Sequence, residues 1–167
     1  MSKTIYFALL FLFIVLLQVL VLNNVLFLGY VNPYLYIIFL FLFPLKKDRF
    51  RFLFIAFLLG LSIDVFSDSG GIHAFSTLTI AYFRLFFVKV FFSKYEVDYP
   101  FFDLSLEPFG KKFNYVATLT LIHHFILFSF ANFSFNNFSQ VLLNTLYSSI
   151  FTLVLYFPVV YIFSKKQ

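Results

Sequence analysis

Residues 4–45, TIYFALLFLFIVLLQVLVLNNVLFLGYVNPYLYIIFLFLFPL, contain no Asp, Glu, Lys or Arg. One membrane-spanning helix needs about 20 apolar residues, so a run of this length predicts two spans. The break falls where polar and turn-forming residues interrupt the run, between Asn23 and Pro33. We place span 1 at about 5–22 and span 2 at about 30–45, and we expect span 2 to bend at Pro33.

The remainder of the chain is also apolar. Its 167 residues are 62% hydrophobic, 25% aromatic and 11% charged, whereas a soluble domain carries about 25% charged residues. The chain is too hydrophobic to be disordered, and its five glycines and five prolines are too few for a fibrous or low-complexity protein. The composition therefore indicates a compact, all-α integral membrane protein. The absence of cysteine excludes disulfides and thiol chemistry.

Four more apolar stretches predict four more spans. The connection 93–112 contains four of the seven acidic residues, and we expect it on the cytoplasmic interface, as a connector or as a docking strip for a partner. Lys3 before an apolar core is typical of a signal peptide, but no small-residue cleavage site follows, so span 1 is expected to be an uncleaved anchor. The prediction is one polytopic membrane domain, 1–167, with its later spans at about 52–66, 72–92, 113–131 and 141–163.

Basic residues segregate to alternate connections. Eleven of the 12 precede span 1, follow span 6, lie between spans 2 and 3, or flank the connection between spans 4 and 5. The positive-inside rule then places both termini of the six-span chain in the cytoplasm, next to the anionic lipid headgroups of the bilayer. The same scatter over four short segments argues against nucleic-acid binding, which uses a basic stripe on a folded domain.

Two charged residues, Asp64 and Arg84, lie too deep inside predicted spans to be placed in a connection. Each costs about 2.5–3.5 kcal/mol at a helix centre, so each needs a partner or a function. Counted from the cytoplasmic ends of spans 3 and 4, their heights differ by about 6 Å. We therefore predict an intramembrane ion pair. The alternative is that Arg84 extends to the cytoplasm while Asp64 lies among the outer headgroups.

A stripe of small residues leads to Asp64 on span 3, at the i, i+4 spacing that suits close helix approach. On span 4 a partly polar face of similar spacing leads to Arg84. Two adjacent glycines between the spans permit a tight, left-handed turn. The predicted packing or partner face consists of Ala56, Gly60, Gly70, Gly71, His73 and Thr77.

Polar residues also occur in spans 5 and 6. His123 and His124 lie near the middle of span 5, and because adjacent helical positions differ by about 100°, at most one should point squarely into the bundle. We expect a packing role, with a proton relay to Asp64 as the alternative. Span 6 carries a polar ladder that predicts an interhelical face or a face for a partner's helix, formed by Gln140, Asn144, Ser148, Thr152 and Tyr156.

Catalytic signatures are missing from the sequence. Gly60-Leu61-Ser62 is similar to part of an intramembrane serine-protease motif, but Ile63 stands where a glycine is needed. The sequence contains no phosphate-binding glycine loop, HExxH or paired-carboxylate motif. We therefore expect a protein that is not an enzyme, without catalytic residues, metal or cofactor.

Two segments resemble the rod shape-determining protein MreD family: GLSIDVFSDSGGIHAF at 60–75 and NPYLYI at 32–37. The resemblance is strongest to Phe-rich, Bacteroidetes-type members, and it extends to length, span number and topology. The Gly-Leu-x-x-Asp pattern of that family and its glycine turn fall on Gly60, Leu61, Asp64, Gly70 and Gly71.

The resemblance implies a non-catalytic scaffold of the cell-elongation (rod) machinery in the bacterial cytoplasmic membrane. Such a scaffold would bind an MreC-type single-span protein and link MreB filaments to the wall-building glycosyltransferase–transpeptidase pair. The implied fold is similar to the six-helix substrate-binding component of energy-coupling-factor transporters. That likeness supplies the alternative function, vitamin binding, although the predicted outer connections carry only one charge, Asp68, with which to recognise a polar ligand.

Overall fold

The computed structural model describes residues 3–25, 31–44, 49–93, 104–132 and 137–164, and every regular element in these ranges is helical. Five helical stretches are long and apolar enough to cross a membrane. One short helix, α2, lies between the first and second of them. The helices are α1 (Lys3–Leu16), α2 (Ile38–Leu42), α3 (Phe50–Ser67), α4 (Ile72–Phe92), α5 (Phe109–Ala131) and α6 (Phe138–Ser164). α1 is continued by a π-helical turn, Leu17–Val21, and a 3₁₀ turn, Leu22–Asn24. α2 is preceded by the 3₁₀ turn Leu35–Ile37.

The five long helices lie where five of the six spans are predicted, and their ends agree with the predicted ends to within four residues. The predicted connection 93–112 is wrong at its end, because residues 109–112 form the first turn of α5. Pro108 precedes that turn with extended backbone (ψ 139°), which sets the start of the helix. Residues 94–103, which carry most of the predicted interfacial strip, lie outside the described residues.

The second predicted span differs most from expectation. We call residues 31–44 the return segment, and within it only Leu35–Leu42 is helical. Its start lies beside Gln18, whereas the ring of Phe43 at its end packs against Phe7 at 5.1 Å and Phe52 at 5.4 Å. The segment therefore runs from the end of α1 back to the starts of α1 and α3. It does so inside the bundle, since residues 36–41 are at most 3% exposed.

The long helices pack in chain order around this segment. α3 and α4 form an antiparallel hairpin, α4 packs on α5 and α5 on α6, while α1 packs on α3 and on the return segment. We call the end with Asp68–Gly71 the turn end. We call the opposite end the basic end, because all described Lys and Arg residues except Arg84 lie there, among them Arg49, Lys89 and Lys111.

Candidate functional site

The backbones of α3 and α4 approach closely at Gly60. A Cβ atom at this position would lie 2.5 Å from the Cα of Ala74 and 2.5 Å from the carbonyl oxygen of His73. Ala56, one turn earlier on α3, is fully buried. The predicted small-residue stripe is therefore confirmed as a close helix contact, and only glycine fits at its tightest point.

The carboxylate of Asp64 caps the start of α4. It accepts hydrogen bonds from the backbone N–H groups of Ala74 at 2.8 Å and His73 at 3.0 Å, and from the hydroxyl of Ser69 at 2.6 Å. The residue at the N-cap position of α4 is Gly71, which has no side chain to serve as a cap. Asp64 thus supplies that cap from the preceding helix, where the helix dipole stabilises its negative charge.

The turn between the two helices uses left-handed backbone at three positions. Asp68 has φ 49°, Gly70 has φ 66° and Gly71 has φ 95°. Glycine adopts these angles without the steric cost that a Cβ imposes. The predicted left-handed glycine turn is confirmed, and it brings the start of α4 back onto Asp64.

The guanidinium of Arg84 binds the end of the return segment. It donates to the carbonyl oxygens of Phe43 at 2.7 Å and Phe41 at 3.3 Å, and to the Tyr115 hydroxyl at 3.4 Å. It also lies 5.0 Å from the ring centroid of Phe52. The last carbonyls of a helix have no partner within the helix. Arg84 therefore serves a helix C-terminus, as Asp64 serves a helix N-terminus.

The predicted Asp64–Arg84 ion pair is wrong. The carboxylate contacts α4 at His73 and Ala74, and Arg84 lies ten residues further along α4, or about 15 Å at 1.5 Å per residue. The predicted heights assumed that α3 and α4 are level at their basic ends. The turn that joins the helices instead fixes their register at Asp64, and α4 extends beyond the start of α3.

Side chains of α1 and α6 satisfy the start of the return segment. The Gln18 amide donates to the Pro33 carbonyl at 3.0 Å and accepts from the Tyr36 N–H at 3.3 Å. Thr152 Oγ1 accepts from the Tyr34 N–H at 3.0 Å. Backbone groups that leave regular helix inside a membrane must find partners within the protein. Gln18, Thr152 and Arg84 together supply those partners for this segment.

A chain of hydrogen bonds joins the return segment to α4 and α5. The Tyr36 hydroxyl lies 2.8 Å from His73 Nδ1 and 2.8 Å from His123 Nε2. His124 Nδ1 lies 2.8 Å from the Thr120 carbonyl, and its Nε2 lies 3.1 Å from Thr152 Oγ1. The rings of His123 and His124 are in contact, with their centroids 5.2 Å apart, and we call Tyr36, His73, His123, His124 and Thr152 together the buried polar cluster.

Both histidines of α5 are fully buried. The prediction that at most one of them points into the bundle is therefore wrong. The reason is that α5 meets two different elements, the return segment, where His123 contacts Tyr36, and α6, where His124 contacts Thr152. The ring of His73 faces Tyr36, while only its backbone N–H binds Asp64, so these contacts do not form the histidine–Asp64 relay that was the alternative to a packing role.

The polar ladder of α6 divides into two parts. Ser148, Thr152 and Tyr156 are buried, which confirms an interhelical face for this part. Asn144 is half-buried, and Gln140 is exposed and donates to the Asn144 side chain at 2.9 Å.

The predicted partner face is mostly used within the chain. Ala56, Gly60, His73 and Thr77 are buried between helices, and only the turn glycines Gly70 and Gly71 keep appreciable exposure. A partner in the membrane therefore cannot reach these four residues without opening the bundle, and of the two predicted roles the structure confirms helix packing for them.

Reasoning from the sequence missed Gln18 and Tyr36. Gln18 is the only side-chain amide between residues 4 and 22, and that isolation was a usable signal. Nothing in the sequence distinguished Tyr36 in this way, because the chain contains 11 tyrosines.

The polar side chains of the interior therefore bind the backbone at helix ends and hydrogen-bond to one another. In the described ranges, no group of three or more His, Asp or Glu residues is placed to hold a metal ion. Comparison of the chain with models of protein families, with curated proteins and with solved structures found no match.

Proposed function

We propose that this protein is a non-catalytic membrane scaffold of the MreD type. It acts in the rod machinery of the bacterial cytoplasmic membrane, binds an MreC-type single-span protein, and through it links wall synthesis to MreB filaments. The proposal rests on the resemblance of residues 60–75 and 32–37 to that family. The structure adds a physical role for the residues that carry the resemblance.

One observation supports a scaffold above all: both intramembrane charges bind backbone of their own chain. Asp64 holds the start of α4, and Arg84 holds the end of the return segment. A charge placed in this way fixes the shape of the bundle. Gly60 and the left-handed turn act at the same junction, so the Gly-Leu-x-x-Asp and glycine-turn residues support a stiff hairpin on which a partner can dock.

The proposed topology has six crossings, with both termini in the cytoplasm and a fold like the substrate-binding component of energy-coupling-factor transporters. The return segment supplies the sixth crossing, since it passes from Gln18 to the level of Phe7 and Phe52. The concentration of lysine and arginine at the basic end supports a cytoplasmic assignment for that end.

We place the partner on the exposed face of α3. Phe54, Leu58 and Val65 are 52%, 37% and 70% exposed, and they share a helix face with Ser62. The Ser62 hydroxyl donates to the Leu58 carbonyl at 2.8 Å, so it presents a small, internally satisfied surface. Small residues of this kind let a second helix approach closely within a membrane.

The test is Ser62→Phe, which adds bulk to this face and removes only a hydrogen bond within α3. The matched control is Val154→Phe on α6, where the native side chain is 60% exposed. We expect Ser62→Phe to lower co-purification of the MreC-type partner about tenfold, equivalent to about 1.4 kcal/mol, with unchanged abundance of the protein itself. The control should leave co-purification unchanged.

Equal partner recovery with both variants would refute this docking face. The scaffold proposal itself is tested by depletion in the source bacterium, which should turn rod-shaped cells round. Retained rod shape after depletion would refute the scaffold.

A second function, binding of a small vitamin for transport, is favoured by one observation. The buried polar cluster places aromatic and histidine side chains in the interior, the kind of lining that small-molecule sites use. These side chains already hydrogen-bond to one another, which favours the scaffold. Growth that depends on one external vitamin after depletion would support transport instead.

A further inference from the structure

Four side-chain atoms of α5 and α6 lie in the interior without a hydrogen-bond partner among the described residues. They are the hydroxyl oxygens of Thr120, Ser148 and Ser149 and the Nδ1 atom of His123. All four residues are at most 1% exposed. Buried polar atoms that lack partners cost free energy and are rare in folded proteins, so each needs an explanation.

The helical setting does not explain these hydroxyls. Serine and threonine in a helix can donate to the carbonyl four residues earlier, and Ser76, Thr77 and Thr145 do so at 2.6–2.7 Å. Thr120 and Ser148 are equally buried and equally helical but make no such bond. Their hydroxyls therefore need a hydrogen-bond partner other than the backbone of their own helix.

The hydrogen count at Tyr36 assigns a role to His123. The Tyr36 hydroxyl has one hydrogen and two histidine neighbours, so it can donate to at most one ring, and at least one ring donates to it. Buried N–H groups without a partner are rarer than buried acceptors without one. The favoured assignment therefore protonates His123 Nε2, which donates to Tyr36, and leaves His123 Nδ1 as a bare acceptor.

By contrast, both ring nitrogens of His124 have a hydrogen-bond partner. The Thr120 carbonyl can only accept, so His124 Nδ1 carries the hydrogen. Its Nε2 then accepts from the Thr152 hydroxyl, whose oxygen accepts from the Tyr34 N–H. The atoms that lack a hydrogen-bond partner are thus His123 Nδ1 and the neighbouring hydroxyl oxygens.

We propose that an ordered water molecule lies between His123 Nδ1 and Thr120 Oγ1 and hydrates the buried polar cluster. Thr120 and His123 stand at i and i+3, where side chains are neighbours on one helix face. Water can donate to the bare nitrogen and still bond the hydroxyl, and buried water commonly meets such atoms. The inference does not depend on the proposed scaffold function.

The first test is X-ray radiolytic labelling of the full-length protein in detergent. Radicals formed from bound water within microseconds modify the side chains beside that water. The reference is Phe39, which is 1% exposed and packed among the rings of Phe7 and Phe11. We expect His123 to be modified several-fold faster than Phe39. Equal, slow modification of both residues would overturn the proposal.

The second test compares two isosteric variants. Thr120→Val removes a proposed water ligand, whereas Thr77→Val removes a hydroxyl that is also fully buried but bonds its own helix. We expect Thr120→Val to slow His123 labelling several-fold and Thr77→Val to leave it unchanged. Equal labelling in both variants would refute the water position. An organic solute retained in the native mass spectrum of the wild-type protein would refute water as the occupant.

Discussion

Replacement of Asp64 should destabilise the protein through the start of α4. Asp64→Leu leaves the N–H groups of His73 and Ala74 buried without an acceptor. Each unmet donor costs about 1–3 kcal/mol, so the expected loss is about 2–6 kcal/mol in the free energy of unfolding. Asp64→Asn keeps one acceptor oxygen but loses the charge, and about half of that loss is expected because charge-assisted bonds are roughly twice as strong as neutral ones.

The measurement is the free energy of unfolding in bicelles, by steric trapping, for Asp64→Leu, Asp64→Asn and the wild type. Val65→Leu is the control, because the native side chain of this adjacent residue is 70% exposed and caps no helix. An Asp64→Leu variant within about 0.5 kcal/mol of the wild type, the usual range for surface substitutions, would refute the capping role.

A double-mutant cycle separates this role from the ion pair that the sequence suggested. Asp64→Asn and Arg84→Gln should be additive to within about 0.5 kcal/mol, because their sites are about 15 Å apart along α4. A buried ion pair would instead couple them, since removal of one partner leaves the other charge uncompensated. A coupling energy above about 1.5 kcal/mol would refute the separation of the two sites.

Three further substitutions test other contacts through the same unfolding measurement. Gly60→Ala should destabilise by about 1–3 kcal/mol through overpacking, whereas Gly110→Ala, whose Cβ would meet nothing within 4 Å, should be neutral or stabilising; similar effects at both would contradict the close contact. Gln18→Leu should cost about 2–6 kcal/mol, because it leaves the Pro33 carbonyl and the Tyr36 N–H unmet. Tyr36→Phe should cost about 1–3 kcal/mol by removing the hydroxyl between two histidines, and an unchanged stability would show that this bridge is dispensable.

The long helices could be predicted from the sequence because bilayer thickness sets their length. Gly60 and the glycine pair were also predictable, since glycine has few roles inside a membrane hairpin other than close approach and left-handed turns. These features depend on local sequence alone.

The contacts of the interior could not be predicted in the same way. Asp64 and Arg84 each bind backbone atoms whose availability depends on where a neighbouring helix begins or ends. Both histidines of α5 are buried because the return segment and α6 each contact one of them, and the sequence of α5 alone does not specify its neighbours. Tyr36 lies between two histidines that are 50 residues apart in the sequence, His73 and His123.

The enclosed return segment has a consequence for biosynthesis. Its eight helical residues, Leu35–Leu42, are too few to cross a bilayer unaided, and its backbone depends on side chains of other helices. One of these, Thr152, is translated 118 residues after Tyr34, to which it bonds. The segment can therefore make its native contacts only after α6 has been translated, and the insertion machinery must shield it until then.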